Sequence, residues 1–285
     1  MSQLAIRPMT VADLATALDW AAAEGWNPGL DDAAAFHAAD PGGFLMGFLG
    51  DAPAACISVV AYGDAYGFLC LYICRPEFRG QGHGWALWQA GIARLGARTI
   101  GLDGVVAQQA NYAKSGFVLA FRNIRYGGTA RAHETADPRL VELRPNGQPP
   151  GLAGSVAAFD RACVPGPREN FLRAWLTPPG RRVLAFVEGN AVRGYGAVRA
   201  CREGHKIGPL FAETPAIADL VFSALTARLH GAPIFLDLPE PNPAATAMAE
   251  RHGLAPVFET ARMYRGPAPA LPLERIYGIT TLELG

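Results

Sequence analysis

Three features of the 285-residue sequence predict a mixed α/β fold: a mostly antiparallel sheet with flanking helices, in two similar domains in tandem. Strand-like runs separated by hairpin turns ("GDAP", "YGDAYG") come first, and helical segments then cross over to further strands. The second half repeats this order of elements. Two short internal matches accompany the repeat: "KSGFVLAFRNIRY" against "RHGLAPVFETARMY", and "TIGLDGV" against "PIFLDLP". The domains are placed at residues 1–130 and 139–285. The linker lies near 127–138, in a polar stretch broken by Gly and Pro.

Taken in order, the first half reads as a strand at 4–8, a helix at 11–24, a turn "GWNPG" and a short helix at 31–39. Strands follow at 44–49, 54–62 and 66–74. After a glycine-rich turn, Trp85, Leu87, Trp88, Gly91, Ile92 and Leu95 recur at helical spacing. A strand at 99–106, a helix from about 108 to 115 and strands within 117–126 complete the half. In the second half a strand at 139–144 precedes the helices "LAGSVAAFDRACV" and "RENFLRAWL". Strands "RRVLAFVEG" and "AVRGYGAVRACREG", the segment "HKIGPLFAETPAIADLVFSALTARLHG", a strand "PIFLDL" and a helix through "PAATAMAERHG" follow.

Half of the residues are hydrophobic and 18% are charged, as expected of a core-forming protein. Twenty-five basic residues balance twenty-five acidic ones, which argues against nucleic acid or an anionic membrane as the main partner. No signal peptide is read at the start, and apolar runs such as "GGFLMGFLG" are too short to span a bilayer. The five cysteines form no C-x-x-C pair and read as reduced, packed thiols, so a cytoplasmic location is expected. Cys70 and Cys74, four apart in one strand, are expected on the same face. The histidines His37, His133, His205, His230 and His252 show no metal spacing, and no metal is expected.

The stretch that carries chemistry is "LYICRPEFRGQGHGWALWQAGIARL", residues 71–95. A helix begins with backbone N–H groups that lack internal partners, and its dipole is positive there, so an anion is bound well at that end. Gly80, Gly82 and Gly84 remove side chains that would obstruct the approach and permit positive φ. Arg79 adds charge at the mouth. The turn suits a pyrophosphate or similar dianion; a tight turn in a chain with 33 glycines is the other reading of a bare G-x-G. It lacks the third glycine of the dinucleotide fingerprint, and no Gly-Lys-Ser/Thr of a Walker loop occurs.

With its flanks, the segment resembles the acetyl-CoA-binding motif of the GNAT superfamily of N-acyltransferases, Gln/Arg-x-x-Gly-x-Gly/Ala between the fourth strand and third helix. Arg79, Gly82 and Gly84 fill its three positions, and Pro76 and Phe78 match the usual approach. Downstream, "YAKSGF" supplies the Tyr that such proteins carry four residues before a Gly-Phe pair: Tyr112, Gly116 and Phe117. The resemblance covers residues 4–126 well and the second half in outline.

It implies an acyl-CoA N-acyltransferase fold and a direct transfer of acetyl from acetyl-CoA to a primary amine. Arg79, Gly80, Gln81, Gly82, His83, Gly84 and Trp85 would hold the cofactor's diphosphate end. Tyr72, Ile73 and Cys74 would supply main-chain hydrogen bonds to pantetheine where the fourth and fifth strands splay apart. Tyr112 would protonate the departing thiolate, since a phenol stays protonated at neutral pH. Cys70 and Cys74 need not be nucleophiles. Glu24, Asp31, Asp32, Asp64 and His83 are available as a general base, but each reads as a solvated loop or helix-end residue. Trp26, Asn27 and Phe36 fall in the region that edges the acceptor pocket in this family.

The second half departs from the motif. In "FAETPAIADLVF", Ala216 and Ala218 stand in place of Gly82 and Gly84, and Glu213 in place of Arg79. Ala249 replaces the tyrosine, while Asn242 keeps an asparagine common at the start of that helix. The first domain is therefore expected to be catalytic, and the second a structural or acceptor-shaping partner. A small-molecule amine is the expected acceptor, in a monomer or homodimer. The alternatives are a protein or peptide amine, and a non-catalytic acyl-CoA-binding regulatory module.

Overall fold

The computed structural model describes residues 4–132, 136–144, 150–176 and 180–285. The elements run β1 (Ala5–Pro8), α1 (Val11–Ala23), α2 (Asp32–Ala39), β2 (Phe44–Leu49), β3 (Ala52–Tyr62), β4 (Tyr66–Cys74), α3 (His83–Leu95), β5 (Thr99–Val105), α4 (Gln109–Lys114) and β6 (Val118–Thr129). The second half continues with β7 (Leu140–Leu143), α5 (Leu152–Arg161), α6 (Glu169–Trp175), β8 (Arg181–Glu188), β9 (Ala191–Ala200) and β10 (His205–Ala212). It ends with α7 (Pro215–Thr226), β11 (Pro233–Pro239), α8 (Pro243–Arg251), β12 (Ala255–Arg265) and β13 (Ile276–Gly278).

All the strands join one sheet, in the order β1-β2-β3-β4-β5-β12-β6-β11-β10-β9-β8-β7, with β13 on β10. The two halves do not lie side by side. Each lends its last long strand to the other: β12 pairs with β5, and β6 pairs with β11. The faint repeat read from the sequence marks this exchange. Arg125 on β6 and Arg262 on β12 sit at matching places in the repeat, as do Asp103 on β5 and Asp237 on β11. Arg262 grips Asp103 at 2.7 and 2.8 Å, and Arg125 grips Asp237 at 2.6 and 2.9 Å. Each bidentate pair thus joins one half to the other, and all four side chains are buried. Removing one partner of such a pair costs about 3–5 kcal/mol, because it strands the other charge.

The exchange also extends β6 beyond its expected end. Gly127, Gly128 and Thr129 are not linker; they pair with Phe235, Ile234 and Pro233 of β11. Their low side-chain bulk, which looks like linker composition, lets Phe235 and Leu254 approach the strand closely. The remainder of the expected linker includes residues outside those described, His133 among them.

Both faces of the sheet are covered, so β4 and β8 read as nearly continuous apolar runs. On one face, α1, α2, α5 and α6 share a single core that mixes residues from both halves, such as Leu14, Phe36, Phe171, Trp175 and Tyr195. On the other, α3 covers the first half through Leu87, Trp88 and Leu95, and α7 and α8 cover the second.

Candidate active site

The β4–β5 pairing is parallel and stops at Leu69 and Leu102. Leu71 adopts φ 45°, and the register with β3 slips between Cys56 and Ser58. That is a β-bulge, which bends β4 away from β5 and leaves its edge from Cys70 onward without a β5 partner. The bulge also reverses side-chain alternation. Cys70 and Leu71 both join the core under α1, whereas Tyr72 and Cys74 pack with α3. The two cysteines therefore lie on opposite faces, contrary to the expectation from period two.

The gap opens into a cavity of about 640 Å³. Tyr72, Ile73 and Cys74 line one wall, with Arg79 and Trp85 towards the mouth and Tyr112 across from them. The turn between Arg79 and Trp85 stands at the rim. Gly80 and Gly82 have φ 75° and 82°, and a Cβ on either would meet nothing within 4 Å. Gly82 is the N-cap of α3 and supplies no capping side chain, so the first turn of the helix keeps the open amide end that an anion needs. Gly84, unlike Gly80 and Gly82, is not in open space. The missing Gly84 side chain makes room instead for the Tyr72 hydroxyl, 2.8 Å from where a Cβ would stand. Gln81 is exposed and His83 half-buried as the first residue of α3. Trp85 is 56% exposed, a large aromatic free at the cavity mouth.

Arg79 is held rather than loose. Its Nε donates to the Cys74 carbonyl at 2.8 Å, and Nη2 meets Glu24 at 2.8 Å. The Cys74 carbonyl is thus already an acceptor within the protein. Tyr112, on α4, is half-buried and stacks on Trp88 at 5.7 Å. A Cβ on Gly104 would come within 2.3 Å of its ring, so the glycine in β5 creates the tyrosine's berth. Burial pushes the Tyr112 phenol well above its ordinary value, and it stays protonated throughout the neutral and mildly alkaline range. Burial also raises the thiols of Cys70 and Cys74, which keeps both protonated and poorly nucleophilic.

Of the remaining candidates, Glu24 lines the cavity, paired with Arg79. Trp26 lines the cavity, but Phe36 is fully buried against Trp175, and Asn27 exchanges hydrogen bonds with Glu203. Asp32 is not solvated: it is fully buried between Arg181 and Arg199.

The floor of the cavity comes from the second half, through Phe258 and Thr260 of β12 and through Leu282 and Glu283 near the end of the chain. Local sequence carried no signal for these, because only the strand exchange brings them there. The route of that last segment explains its place. In the second half β10 and β11 likewise pair only briefly, through residues 205–207 and 234–236, and then part. There β13 fills the gap: Leu210 pairs with Gly278, Phe211 with Ile276, and the Ile279 N–H donates to the Asp237 carbonyl at 2.8 Å. Asn242 caps α8 with its side-chain oxygen while its amide donates to the carbonyls of Leu273 and Ile276. The α7 N-terminus is closed as well, with Thr214 capping Ile217 and Pro215 in the first turn. Glu213 pairs with Arg193 and Arg275. The groove equivalent to the first cleft is thus occupied by the chain itself.

Residues 11–117 match the model of the acetyltransferase (GNAT) family, and residues 156–278 match that of an acetyltransferase (GNAT) domain. A holothin acyltransferase from Pseudoalteromonas sp. (strain SANK 73390) is 30% identical over 280 residues, 98% of this chain and 94% of that protein. The chain belongs to the GNAT family. Its two GNAT domains stand in tandem, and it is an acyltransferase of the kind that draws on acyl-CoA and an acceptor. Solved structures agree on the fold. A candidate acetyltransferase from Pyrococcus horikoshii superposes with a TM-score of 0.83 at 23% identity, covering 100% of this chain and 97% of the other. A tandem GNAT protein from the clavulanic acid biosynthesis pathway gives 0.64 at 16% identity, covering 93% of this chain and all of its own. Among the described residues, no helix is long and apolar enough to cross a membrane.

Proposed function

We propose that this GNAT protein transfers an acetyl group from acetyl-CoA to the primary amine of a small molecule, in the first domain alone. The observation that carries the reading is the contrast between the two equivalent clefts: the β4–β5 gap ends at an uncapped glycine turn, whereas the β10–β11 gap is filled by β13. The residues fit an acyl-CoA. Gly80 and Gly82 leave empty space at the amide end of α3, which suits a diphosphate, and Arg79, Gln81, His83, Gly84 and Trp85 frame that rim. The free edge of β4 at Tyr72 and Ile73 suits pantetheine, with the Cys74 amide beside it.

The thioester supplies an acyl carbon open to attack and a thiolate leaving group. Main-chain donors on β4 orient and polarise it. The Tyr112 hydroxyl holds the proton that the sulfur must gain, at a position facing Cys70 and Tyr72 across the cavity. No covalent enzyme intermediate is needed, in keeping with the raised cysteine thiols. The enclosed floor, built from Trp26, Phe258, Thr260 and Leu282, favours a small acceptor over a protein chain. The relative's name, holothin acyltransferase, supports acyl transfer to a small molecule. Five unpaired cysteines support a cytoplasmic setting.

The test is release of free CoA from acetyl-CoA with a panel of primary amines, benzylamine, tryptamine and putrescine among them, beside calorimetry of acetyl-CoA binding. Amine-dependent release with one binding site per chain is expected. Binding without turnover would mark a regulatory module instead, and no binding at all would overturn the reading.

A further inference from the structure

Glu283 is the one carboxylate on the cavity floor contributed by the closing segment of the chain, and its setting is unusual. The residue is 1% exposed, and its Oε1 has no hydrogen-bond partner among the described residues. The other oxygen, Oε2, accepts from the Thr281 hydroxyl, whose oxygen in turn accepts the Glu283 N–H at 2.8 Å. This closed turn fixes the carboxylate. On either side, Leu284 is tied by the Tyr62 hydroxyl at 3.0 Å, and Ile279 is tied to Asp237. A buried carboxylate oxygen left without a partner is costly unless a ligand or proton completes it.

Resting on the acyltransfer reading above, we propose that Glu283 receives the acceptor's amine and takes its proton, so that the second domain supplies the missing base of the first. The groove that no longer holds a cofactor clamps the segment that delivers this carboxylate. The acceptor arrives as an ammonium ion and gives one proton to Glu283, which passes it to solvent through the cavity. The freed lone pair forms the N–C bond to the acyl carbon as the C–S bond breaks. The nitrogen then gives its second proton to Glu283, and the sulfur takes one from the Tyr112 hydroxyl. Exchange with water restores both side chains, so the products are a neutral amide and a free thiol.

The charged groups around Glu283 are Lys206 from β10, Arg125 from β6 and Arg199 from β9, with the thiols of Cys70 and Cys201 also near. Arg125 holds Asp237 through two hydrogen bonds. Arg199 holds Asp32 through Nε alone, its Nη2 having no hydrogen-bond partner among the described residues, and the Lys206 ammonium donates to the Trp26 carbonyl at 3.0 Å. Among the described residues none of these cations donates a hydrogen bond to Oε1. Burial lowers the Lys206 ammonium, an effect that Glu283 opposes.

The experiment uses the full chain and the amine that gives the fastest CoA release in the panel. For wild type, Glu283→Gln and Thr281→Val, it measures kcat/KM for the amine from pH 6 to 10, acetyl-CoA affinity by calorimetry, and the thermal midpoint. Glu283→Gln is expected to bind acetyl-CoA within threefold of wild type and to lose on the order of 100-fold or more in kcat/KM at pH 7. Its rate should then climb tenfold per pH unit up to the amine's own pKa, whereas wild type reaches its plateau well below that. Thr281→Val, which removes the hydroxyl that donates to Oε2, should move the acid limb of the profile to higher pH. A Glu283→Gln rate within threefold of wild type, or a loss equal at every pH, overturns the proposal. If that variant does not fold, an unmoved limb in Thr281→Val overturns it. Absence of amine-dependent turnover in wild type overturns the acyltransfer reading itself, a different result from turnover that survives in Glu283→Gln.

Discussion

Replacing Gly82 by alanine separates the anion-binding role of the turn from its role in the fold. Gly82 sits at φ 82°, ψ −6° as the N-cap of α3, and an added Cβ meets nothing within 4 Å. In the free protein the only cost is the left-handed backbone, about 1–2 kcal/mol for a residue with a Cβ. That corresponds to a fall in thermal midpoint of about 2–8 °C. If the turn relaxes to negative φ, the amides it aims outward rotate away. Losing two charge-assisted hydrogen bonds at about 1.5–3 kcal/mol each weakens binding by about 3–6 kcal/mol. At about 1.4 kcal/mol per tenfold, the dissociation constant for acetyl-CoA rises on the order of 10²–10⁴-fold. Calorimetry measures this directly. Acetyl-pantetheine, which lacks the diphosphate, should bind both proteins alike. Gly96 closes the other end of α3 at φ 61° with equally open surroundings, so Gly96→Ala is the control for strain alone. A Gly82→Ala protein that binds acetyl-CoA within threefold of wild type would refute the nest.

Three further outcomes follow from the geometry. Tyr112→Phe keeps the ring stacked on Trp88 and removes only the proton, so turnover should fall by about 10²–10⁴-fold with acetyl-CoA affinity nearly intact; unchanged turnover removes the acid role. Burial raises the Asp237 carboxyl, but the Arg125 guanidinium outweighs it and holds the folded-state value below the ordinary one; Asp32, beside Arg199 and Arg181, behaves likewise. Their contribution to stability is therefore complete above the ordinary carboxylate range and is lost as pH falls through and below it. Thermal midpoints should be level from about pH 5 to 8 and drop below about pH 4, while Asp237→Asn should cost about 3–5 kcal/mol at pH 7 and show a shallower acid decline. Finally, a Cβ on Gly208 would stand 2.5 and 2.6 Å from the carbonyl oxygens of Thr280 and Ile279. Gly208→Ala should push the closing segment off β10 and lower kcat/KM by about 10²-fold, since a misplacement near 1 Å suffices, with acetyl-CoA binding retained; equal rates would show that the segment does not serve the first site.

The sequence by itself determined the parts governed by local chemistry. Periodicity and turn residues located most of the strands and helices to within a few residues, because hairpin glycines and apolar spacing act over a handful of positions. The exceptions are β12 and β13, which were not read as strands. The motif from Arg79 to Gly84 was legible because a helix N-terminus freed of side chains is a local property. Tyr112 was legible only through the family pattern. What tertiary structure decided has a common cause, namely contacts distant in sequence. The bulge at Leu71 depends on how β3 and β4 pair, and it placed Cys70 and Cys74 on opposite faces. The partners of β6 and β12 could not be read, because both strands carry an Arg, both neighbouring strands carry an Asp, and either pairing satisfies the charges. Glu283 lies in "TTLELG", a stretch with no local signature. It reaches the cavity because β13 fills the second groove, a fact that only the assembled sheet contains.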